Sequence, residues 1–184
     1  MRRIAGLDLA AIHRRPTGLA ILDTATRSII FLEEVFSDED VVDPIMHHRV
    51  GLVVVDAPLS FPPRGRGFRD VERMAMAKGA RFLPLTMRSM IMLAERAIRL
   101  KRMLEVAGII VVETHPSSSL KISGCSFSQL LEELNVSLPR RPRSRHEEDA
   151  IIAALTGLCV LEDCAELFET GHDRLVLLKQ ICKH

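Results

Sequence analysis

Two stretches of the sequence have the pattern of a strand that is buried on both faces. Residues 52–56 (LVVVD) place four apolar residues before Asp56, and residues 109–112 (IIVV) run without a polar break into Glu113. Uninterrupted apolar runs rich in β-branched residues are typical of inner strands of a parallel sheet. A proline follows each run, and proline cannot donate a hydrogen bond to a sheet ladder. The pattern therefore predicts two buried strands that end at acidic residues.

The chain opens with a similar strand and continues with a hairpin. Residues 3–9 (RIAGLDL) predict a first strand that carries Asp8 near its end. Two β-rich runs then flank the tetrapeptide DTAT at 23–26, which predicts an antiparallel hairpin. Near the other end of the chain, residues 174–179 (RLVLLK) favour a strand over a helix.

Helices are predicted between these strands. A short acidic helix is expected at 38–48 and another near 126–134. A long helix is expected to begin at Pro84, because proline suits the first turn, and to end at Gly108, because apolar residues recur at helical spacing between them.

The last predicted helix, residues 146–162, is apolar almost all round, so we expect it to be buried against the sheet. Ser144 and Glu147 have the spacing of a capping box at its start. Strands that alternate with helices predict an α/β fold with right-handed crossovers onto a mixed sheet whose central strands are parallel. Because the chain is long enough for one core but hardly for two, a single domain over residues 1–184 is expected.

Composition and targeting signals narrow the class of protein. Apolar residues make up 47% of the chain and charged residues 27%, which predicts a folded domain rather than disorder. The longest apolar stretch, 150–161, is too short to cross a bilayer. The first residues, MRRIAGLD, place a carboxylate within a short apolar run and do not resemble a signal peptide. We therefore expect a cytoplasmic protein with no membrane partner.

The four cysteines do not predict a metal site. None of them has C-x-x-C spacing or a paired-histidine pattern, so zinc is not expected. Cys159 lies in an apolar helical pattern, where a cysteine acts as a small core residue. The spacing leaves both free and paired cysteines open.

The arginines are clustered although the net charge is only +1. Such a balance does not by itself predict nucleic-acid binding. Two Gly- or Pro-containing segments carry the clusters, which are Arg64, Arg66, Arg69 and Arg73 in one and Arg140, Arg141, Arg143 and Arg145 in the other. Solvated loop charge is one interpretation and phosphate binding is the other.

Acidic residues occur where three predicted strands end, at Asp8, Asp56 and Glu113. The carboxyl ends of neighbouring parallel strands meet at one edge, where α/β proteins bind ligands, so we expect these side chains to converge. The start of the last helix can reach the same edge. His146 and Asp149 stand three residues apart there and share a helix face.

Carboxylates packed this closely need a compensating cation or protons. Two of them ~4 Å apart repel by about 4 kcal/mol at an effective dielectric constant of about 20. Oxygen-only ligands favour Mg²⁺ or Mn²⁺ over zinc or copper. A pair of such ions can hold the attacking and leaving oxygens of a phosphodiester displacement. The acids therefore predict a two-metal centre.

Each residue of this set also has a structural interpretation. Asp56 precedes Ala-Pro and can hydrogen-bond the turn, while Glu113 can pair with a loop arginine. His146 can be a surface residue of the capping turn. His115 lies two residues after Glu113, which places it near the site but fixes no role.

Five stretches resemble known proteins: GLDLA…PTGLAIL at 6–22, VVVDAPLSFP at 53–62, GARFLPLTMRSM at 79–90, VVETHPSS at 111–118 and HEEDAIIAALTG at 146–157. The first four are similar to an uncharacterised family of predicted nucleases (domain of unknown function family four-two-nine), and the last resembles the final acidic motif of RuvC-type resolvases. The resemblance implies a ribonuclease H-like three-layer fold, with the hairpin antiparallel and strands 1, 4 and 5 parallel.

The resemblance also implies an acidic metal centre. In it, Asp8 is the first-strand aspartate and Asp149 the final-helix aspartate, with His146 one turn earlier. Two departures stand out. RuvC-type enzymes have a glutamate on the middle strand, where this chain has Asp56, and Glu113 is additional to their set.

The favoured hypothesis is a metal-dependent nuclease that hydrolyses phosphodiester bonds of DNA or RNA. Mg²⁺ or Mn²⁺ would be held by Asp8, Asp56, Glu113 and Asp149, and His146 would be a further catalytic residue. The expected substrate-binding residues are Arg64, Arg66, Arg69, Arg73, His115, Arg143 and Arg145. Two alternatives stay open: a non-catalytic nucleic-acid- or protein-binding domain, and an actin- or sugar-kinase-like nucleotide-binding domain. A single domain without a second Gly-rich loop argues against the latter.

Overall fold

The computed structural model describes residues 2–171 and 173–182, and within these ranges it contains one mixed sheet and six α-helices. In chain order the elements are β1 (Arg3–Asp8), β2 (Thr17–Asp23), β3 (Ser28–Val35), α1 (Asp38–His47), β4 (Leu52–Asp56), α2 (Asp70–Ala77), α3 (Arg88–Val106), β5 (Ile110–Thr114), α4 (Pro116–Ser123), α5 (Phe127–Glu133), α6 (Arg145–Leu161), β6 (Ala165–Thr170) and β7 (Asp173–Leu178). None of the described helices is long and apolar enough to cross a membrane.

The seven strands lie in the order β3-β2-β1-β4-β5-β7-β6. β1, β4 and β5 are parallel neighbours, as predicted, and β7 is parallel to β5. The predicted β2–β3 hairpin is antiparallel to β1, and a second hairpin of β6 and β7 forms the other edge. The parallel centre places the ends of β1, β4 and β5 at one edge of the sheet.

Helices cover both faces of the sheet. Along β1, Ala5 and Leu7 pack with α1 and α3, whereas Ile4 packs with α5 and α6. α2 covers the α3 side of β7 through Val71 and Ala75. The layers are therefore helices, sheet and helices, because side chains alternate between the two faces of each strand.

α6 lies unusually close to β1 and β2 because two glycines face it. A Cβ atom at Gly6 would stand 2.0 Å from the carbonyl oxygen of Ala150, and one at Gly18 would stand 2.0 Å from that of His146. Backbone atoms cannot move aside as the end of a flexible side chain can, so a larger residue at either position would clash. Gly6 and Gly18 thus fix the distance between the sheet and the start of α6.

Three elements were not predicted, and a fourth begins later than expected. α2 was not predicted, because it is short and lies within the basic segment that composition describes as a loop. α4 was missed because Pro116 ends the strand and also begins the helix. The edge strand β6 was not predicted either. The long helix begins at Arg88 rather than Pro84, because residues 84–87 form a separate turn. Met87 N–H donates to Pro84 C=O at 3.1 Å within this turn, and Leu85 N–H donates to Gly67 C=O at 2.7 Å.

All four cysteines are paired. Cys125 is bonded to Cys182 and Cys159 to Cys164. The first bond joins the segment after β7 to the segment between α4 and α5, and the second closes the end of α6. Cys159 is still the buried core residue that its helical position predicted.

Candidate active site at the carboxyl ends of β1 and β4

β1 and β4 bring two aspartates side by side. The parallel register pairs Asp8 with Asp56 at the last position of each strand. Two positions earlier, Gly6 and Val54 face α6, so both aspartates point to the same face. The predicted convergence of these two acids is present in the structure.

α6 delivers His146 and Asp149 to the same place. The His146 Nδ1 atom lies 2.6 Å from Asp8 Oδ2. One oxygen of Asp149 accepts a hydrogen bond of 2.9 Å from Arg145 Nε. Its other oxygen, Oδ1, is buried and has no hydrogen-bond partner among the described residues. An ionised oxygen without a partner is costly inside a protein, so this atom marks a place where a cation would be stabilised.

Burial, together with neighbouring carboxylates, raises the pKa of both strand aspartates. Burial is the main cause at Asp8, whose hydrogen bond to His146 partly opposes it. The pKa of Asp56 lies well above its usual range, because of burial first and then the charges of Asp8, Asp149 and Glu113. No hydrogen bond from the described residues offsets these effects at Asp56. The turn-holding interpretation of Asp56 therefore finds no support.

Glu113 is near the other acids but faces the opposite side of the sheet. In the parallel register it lies beside Val55, not Asp56, so it points towards α3. Its carboxylate accepts hydrogen bonds from Arg69 Nη1 at 2.8 Å and from Leu59 N–H at 3.0 Å. Burial raises the pKa of Glu113, and Arg69 opposes this rise. This is the ion pair of the structural interpretation.

Arg69 was predicted to lie on a phosphate-binding surface, but the structure buries it. Its side chain is only 2% exposed and bonds both Glu113 and Glu72. Because its guanidinium is enclosed by the protein, it cannot reach a nucleic-acid backbone. Arg64, Arg66 and Arg73 from the same segment are exposed.

The second arginine segment holds the start of α6. Arg140 and Arg143 both bind the fully buried carboxylate of Glu147, at 2.6 Å and 3.0 Å. Glu147 therefore does not close the predicted capping box, although Ser144 Oγ accepts from Glu147 N–H. Sequence reasoning missed this cluster; the signal was an arginine run directly before an acid. Arg143 and Arg145 remain largely exposed at their outer ends.

His115 lies beside the acids, as its sequence position indicated. It lines a cavity with Asp8, Asp56 and Glu113. Its Nδ1 atom is 2.8 Å from Ser118 Oγ, which fixes the ring. Burial lowers the pKa of His115, which favours the neutral imidazole.

A divalent cation fits the donor chemistry but not the present side-chain positions. Among residues 2–171 and 173–182, no group of three or more His, Cys, Asp or Glu side chains is placed so that it could hold a metal ion. The reason is visible in the contacts, since Asp8 is turned to His146 and Asp149 to Arg145. The carboxylate oxygens, the raised pKa of Asp56 and the unpartnered Asp149 Oδ1 all suit a hard cation.

Two solved structures are similar to this chain. RuvC from Thermus thermophilus in complex with a Holliday junction substrate has a TM-score of 0.54 and 14% sequence identity, over 87% of this chain and 96% of that chain. A second Thermus thermophilus RuvC structure has a TM-score of 0.53 and 13% identity, over 88% of this chain and 96% of that chain.

No protein-family model matches the sequence, and no curated protein matches it either. At this level of identity the structural likeness shows the fold alone. The chain has the ribonuclease H-like α/β fold of RuvC, with strands 1, 4 and 5 parallel as predicted. The distant RuvC-like resemblance is confirmed at the level of fold, and the narrower family stays a prediction.

Proposed function

We propose that this protein is a metal-dependent nuclease that hydrolyses phosphodiester bonds of DNA or RNA. The observation that supports it most is the trio of Asp8, Asp56 and Asp149 at the open end of a RuvC-like sheet, with one buried Asp149 oxygen left without a partner among the described residues. A buried carboxylate placed only for stability would have both oxygens hydrogen-bonded, as Glu113 and Glu147 have.

Asp8, Asp56 and Asp149 are the residues that would hold Mg²⁺ or Mn²⁺. When bound, such an ion activates a water and stabilises the leaving oxygen of a phosphodiester. Binding requires Asp8 and Asp149 to exchange part of their contacts with His146 and Arg145. Glu113 is not a metal ligand in this proposal, because its carboxylate is bound by Arg69. With Arg69 and Leu59 N–H it holds the segment between β4 and α2 in place.

His146 is positioned to move a proton. Its Nδ1 atom is held by Asp8, so Nε2 is the nitrogen that is free to hold or accept a proton. The ring is about half exposed, which leaves it within reach of a bound substrate. A histidine oriented by a carboxylate is a common arrangement for general acid–base catalysis.

Exposed arginines from two segments would bind backbone phosphates. Arg64 and Arg66 belong to the loop between β4 and α2 and Arg73 to α2, whereas Arg143 and Arg145 belong to the segment that begins α6. Phosphate contacts of this kind give affinity that falls as salt rises and that tolerates sequence changes.

The proposal is tested by cleavage assays on labelled DNA and RNA in Mg²⁺ or Mn²⁺. Wild type should cleave the nucleic acid, and cleavage should stop when EDTA is added. Asp8→Asn and Asp149→Asn should lose cleavage by about 10²-fold or more while still binding the nucleic acid. Binding by wild type without cleavage under either metal would favour the non-catalytic alternative, and undiminished cleavage by Asp8→Asn would exclude the proposed site.

A further inference from the structure

The cavity beside Asp8 and Asp56 has two kinds of wall. Its polar side comes from the strand ends, from His115 and from Glu72 of α2. Its other side is apolar and comes from the loop before α3 and from α3 itself, through Phe82, Leu83, Met90 and Leu93. Contact with such a surface stabilises neither a metal ion nor a backbone phosphate. The apolar wall therefore fits an apolar part of a substrate.

The size of the cavity limits what can enter. Its volume is about 170 Å³, close to the roughly 150 Å³ of an apolar protein cavity that binds one benzene molecule. One flat ring therefore fits, whereas a base pair within a stacked duplex does not.

Side-chain contacts fix one part of the apolar wall, and the other part is exposed to solvent. The rings of Phe82 and His115 lie 4.9 Å apart between centroids, and His115 is fixed by Ser118. Leu83 is 56% exposed, although it is a large apolar residue. A ring that entered would cover Leu83 and pack against the Phe82 side, which is the environment in which unstacked nucleobases are held by proteins.

We propose that this cavity takes one unpaired nucleobase, with the attached sugar-phosphate next to the aspartates. The inference rests on the proposed nuclease function and narrows it: the substrate is DNA or RNA with an unpaired nucleotide at the cleavage position rather than continuous duplex. Packing against the apolar wall involves the face of a base and not its edge, so this contact does not depend on which base enters. Exposed arginines then hold the flanking phosphates.

Binding measurements with a matched pair of methionines test this inference. Met90 and Met92 lie on the same helix, but only Met90 lines the cavity, and Met92 is exposed elsewhere. We would measure fluorescence anisotropy with a single-stranded oligonucleotide and with the blunt duplex of the same sequence, at one salt concentration, in Ca²⁺, with gel analysis to confirm that the substrate stays intact.

Wild type should bind the single strand more tightly than the duplex. Met90→Ser should weaken single-strand binding about fivefold or more, since base contacts of this kind contribute about 1–3 kcal/mol each, and it should leave duplex binding unchanged. Met92→Ser should behave as wild type. Leu83→Ser should also weaken single-strand binding and leave duplex binding unchanged. Because Leu83 is exposed and tolerates serine, this variant tests the inference even if Met90→Ser does not fold.

Two results would overturn the inference and are distinguishable from failure of the nuclease proposal. Equal affinity for single strand and duplex, or equal losses in Met90→Ser and Met92→Ser, excludes the base pocket but leaves metal-dependent cleavage intact. Failure of wild type to bind any nucleic acid excludes both.

Discussion

At the scale of single residues, the acids at the site fall into two groups by what surrounds them. Glu147 and Glu113 are paired with arginines, whereas Asp56 is buried near the charges of Asp8, Asp149 and Glu113. The pKa of Glu147 is lowered by its arginines, and the pKa of Asp56 is raised by burial and by the neighbouring charges. Glu147 and Asp56 therefore respond in opposite directions to pH and to neutralising substitutions.

Asp56→Asn should stabilise the metal-free protein at neutral pH. The pKa of Asp56 is raised in the folded state, so the fold binds this proton more tightly than the unfolded chain. Wild-type stability should fall as pH rises from about 4 through the raised pKa, by about 1.4 kcal/mol for every pH unit between the unfolded and folded pKa values. Asn resembles the neutral acid and removes this loss. Melting curves in EDTA between pH 4 and pH 8 measure it.

The exposed Asp43→Asn is the matched control and should leave the profile unchanged. A lower melting temperature for Asp56→Asn at every pH would contradict the crowding of charge at this position and would restore the turn-holding interpretation.

Glu147→Gln should have the opposite effect. Arg140 and Arg143 lower the pKa of Glu147 to about 2, so its stabilising contribution is present above the unfolded value and is lost as pH falls from about 4.5 towards 2. We expect a loss of about 2 kcal/mol at pH 7, reduced from the full linkage value because Arg143 is largely exposed to water. Urea unfolding at pH 7 and at pH 3 measures it.

Glu148→Gln, one position along the same helix, is the control. Its contact with the exposed Arg145 is 3.4 Å long, so its effect should stay within about 0.5 kcal/mol. Equal losses of stability in Glu147→Gln and Glu148→Gln would show that Glu147 stabilises the fold only as an acid near the positive end of the helix, and not through its arginines.

At the scale of elements, two close packings decide the geometry of the site. α6 approaches β1 and β2 at Gly6 and Gly18, and the segment after β4 is tied to β5 by Arg69. The first brings His146 to Asp8, and the second holds the carboxylate of Glu113.

Gly18→Ala should displace the start of α6. The new Cβ atom would meet the His146 carbonyl, and overpacking of this kind typically costs about 1–3 kcal/mol. We expect lower stability together with a loss of any metal-dependent stabilisation, measured by melting with and without Mn²⁺. Gly67→Ala is the control, because its Cβ would meet only the Pro84 side chain at 3.2 Å. A metal response unchanged in Gly18→Ala would show that α6 is not needed at the site.

Strand periodicity explains why Asp8 and Asp56 share a face of the sheet and why Glu113 lies on the other face. Asp8 and Asp56 end strands of equal register, so their convergence followed from the parallel sheet. Glu113 also lies at a strand end, but β5 continues to Thr114 and is shifted by one residue, which places Glu113 on the other face. Sequence patterns locate a strand end only to within a residue or two, and one residue reverses the direction of a side chain.

Helices whose signals are local were predictable, and those that depend on tertiary contacts were not. The apolar periodicity of α3 and α6 and the strands of the central sheet appear where the pattern placed them. α2 begins directly after Arg69, which forms buried ion pairs with Glu72 and with Glu113, and the second pair joins residues far apart in the chain. Composition alone assigns such arginines to solvent.

At the scale of the whole molecule, the two disulfides are the main feature that the sequence left open. The spacing of the four cysteines left free and paired forms open, and the structure pairs all four. A single domain over residues 1–184 stays a prediction.

Removing the disulfides should destabilise the protein unequally. The Cys125–Cys182 bond spans 57 residues and Cys159–Cys164 spans 5. In the chain-entropy model the first contributes about 4 kcal/mol and the second about 2 kcal/mol. Urea unfolding of the two double Cys→Ser variants should show the larger loss for the long loop. Thiol titration of the denatured, unreduced protein should find no free thiol, and four free thiols would contradict the pairing.

Thermal melting in EDTA and in Mn²⁺ tests most directly whether the strand-end aspartates form a metal site. Wild type should melt at a higher temperature in Mn²⁺, since a ligand that binds only the folded state stabilises it by mass action. Asp56→Asn should melt above wild type in EDTA and show no response to Mn²⁺, whereas Glu113→Gln should melt lower but keep the response. If Mn²⁺ leaves wild type unchanged, or if Asp56→Asn keeps the full response, the aspartates do not hold the ion and the proposed nuclease centre is wrong.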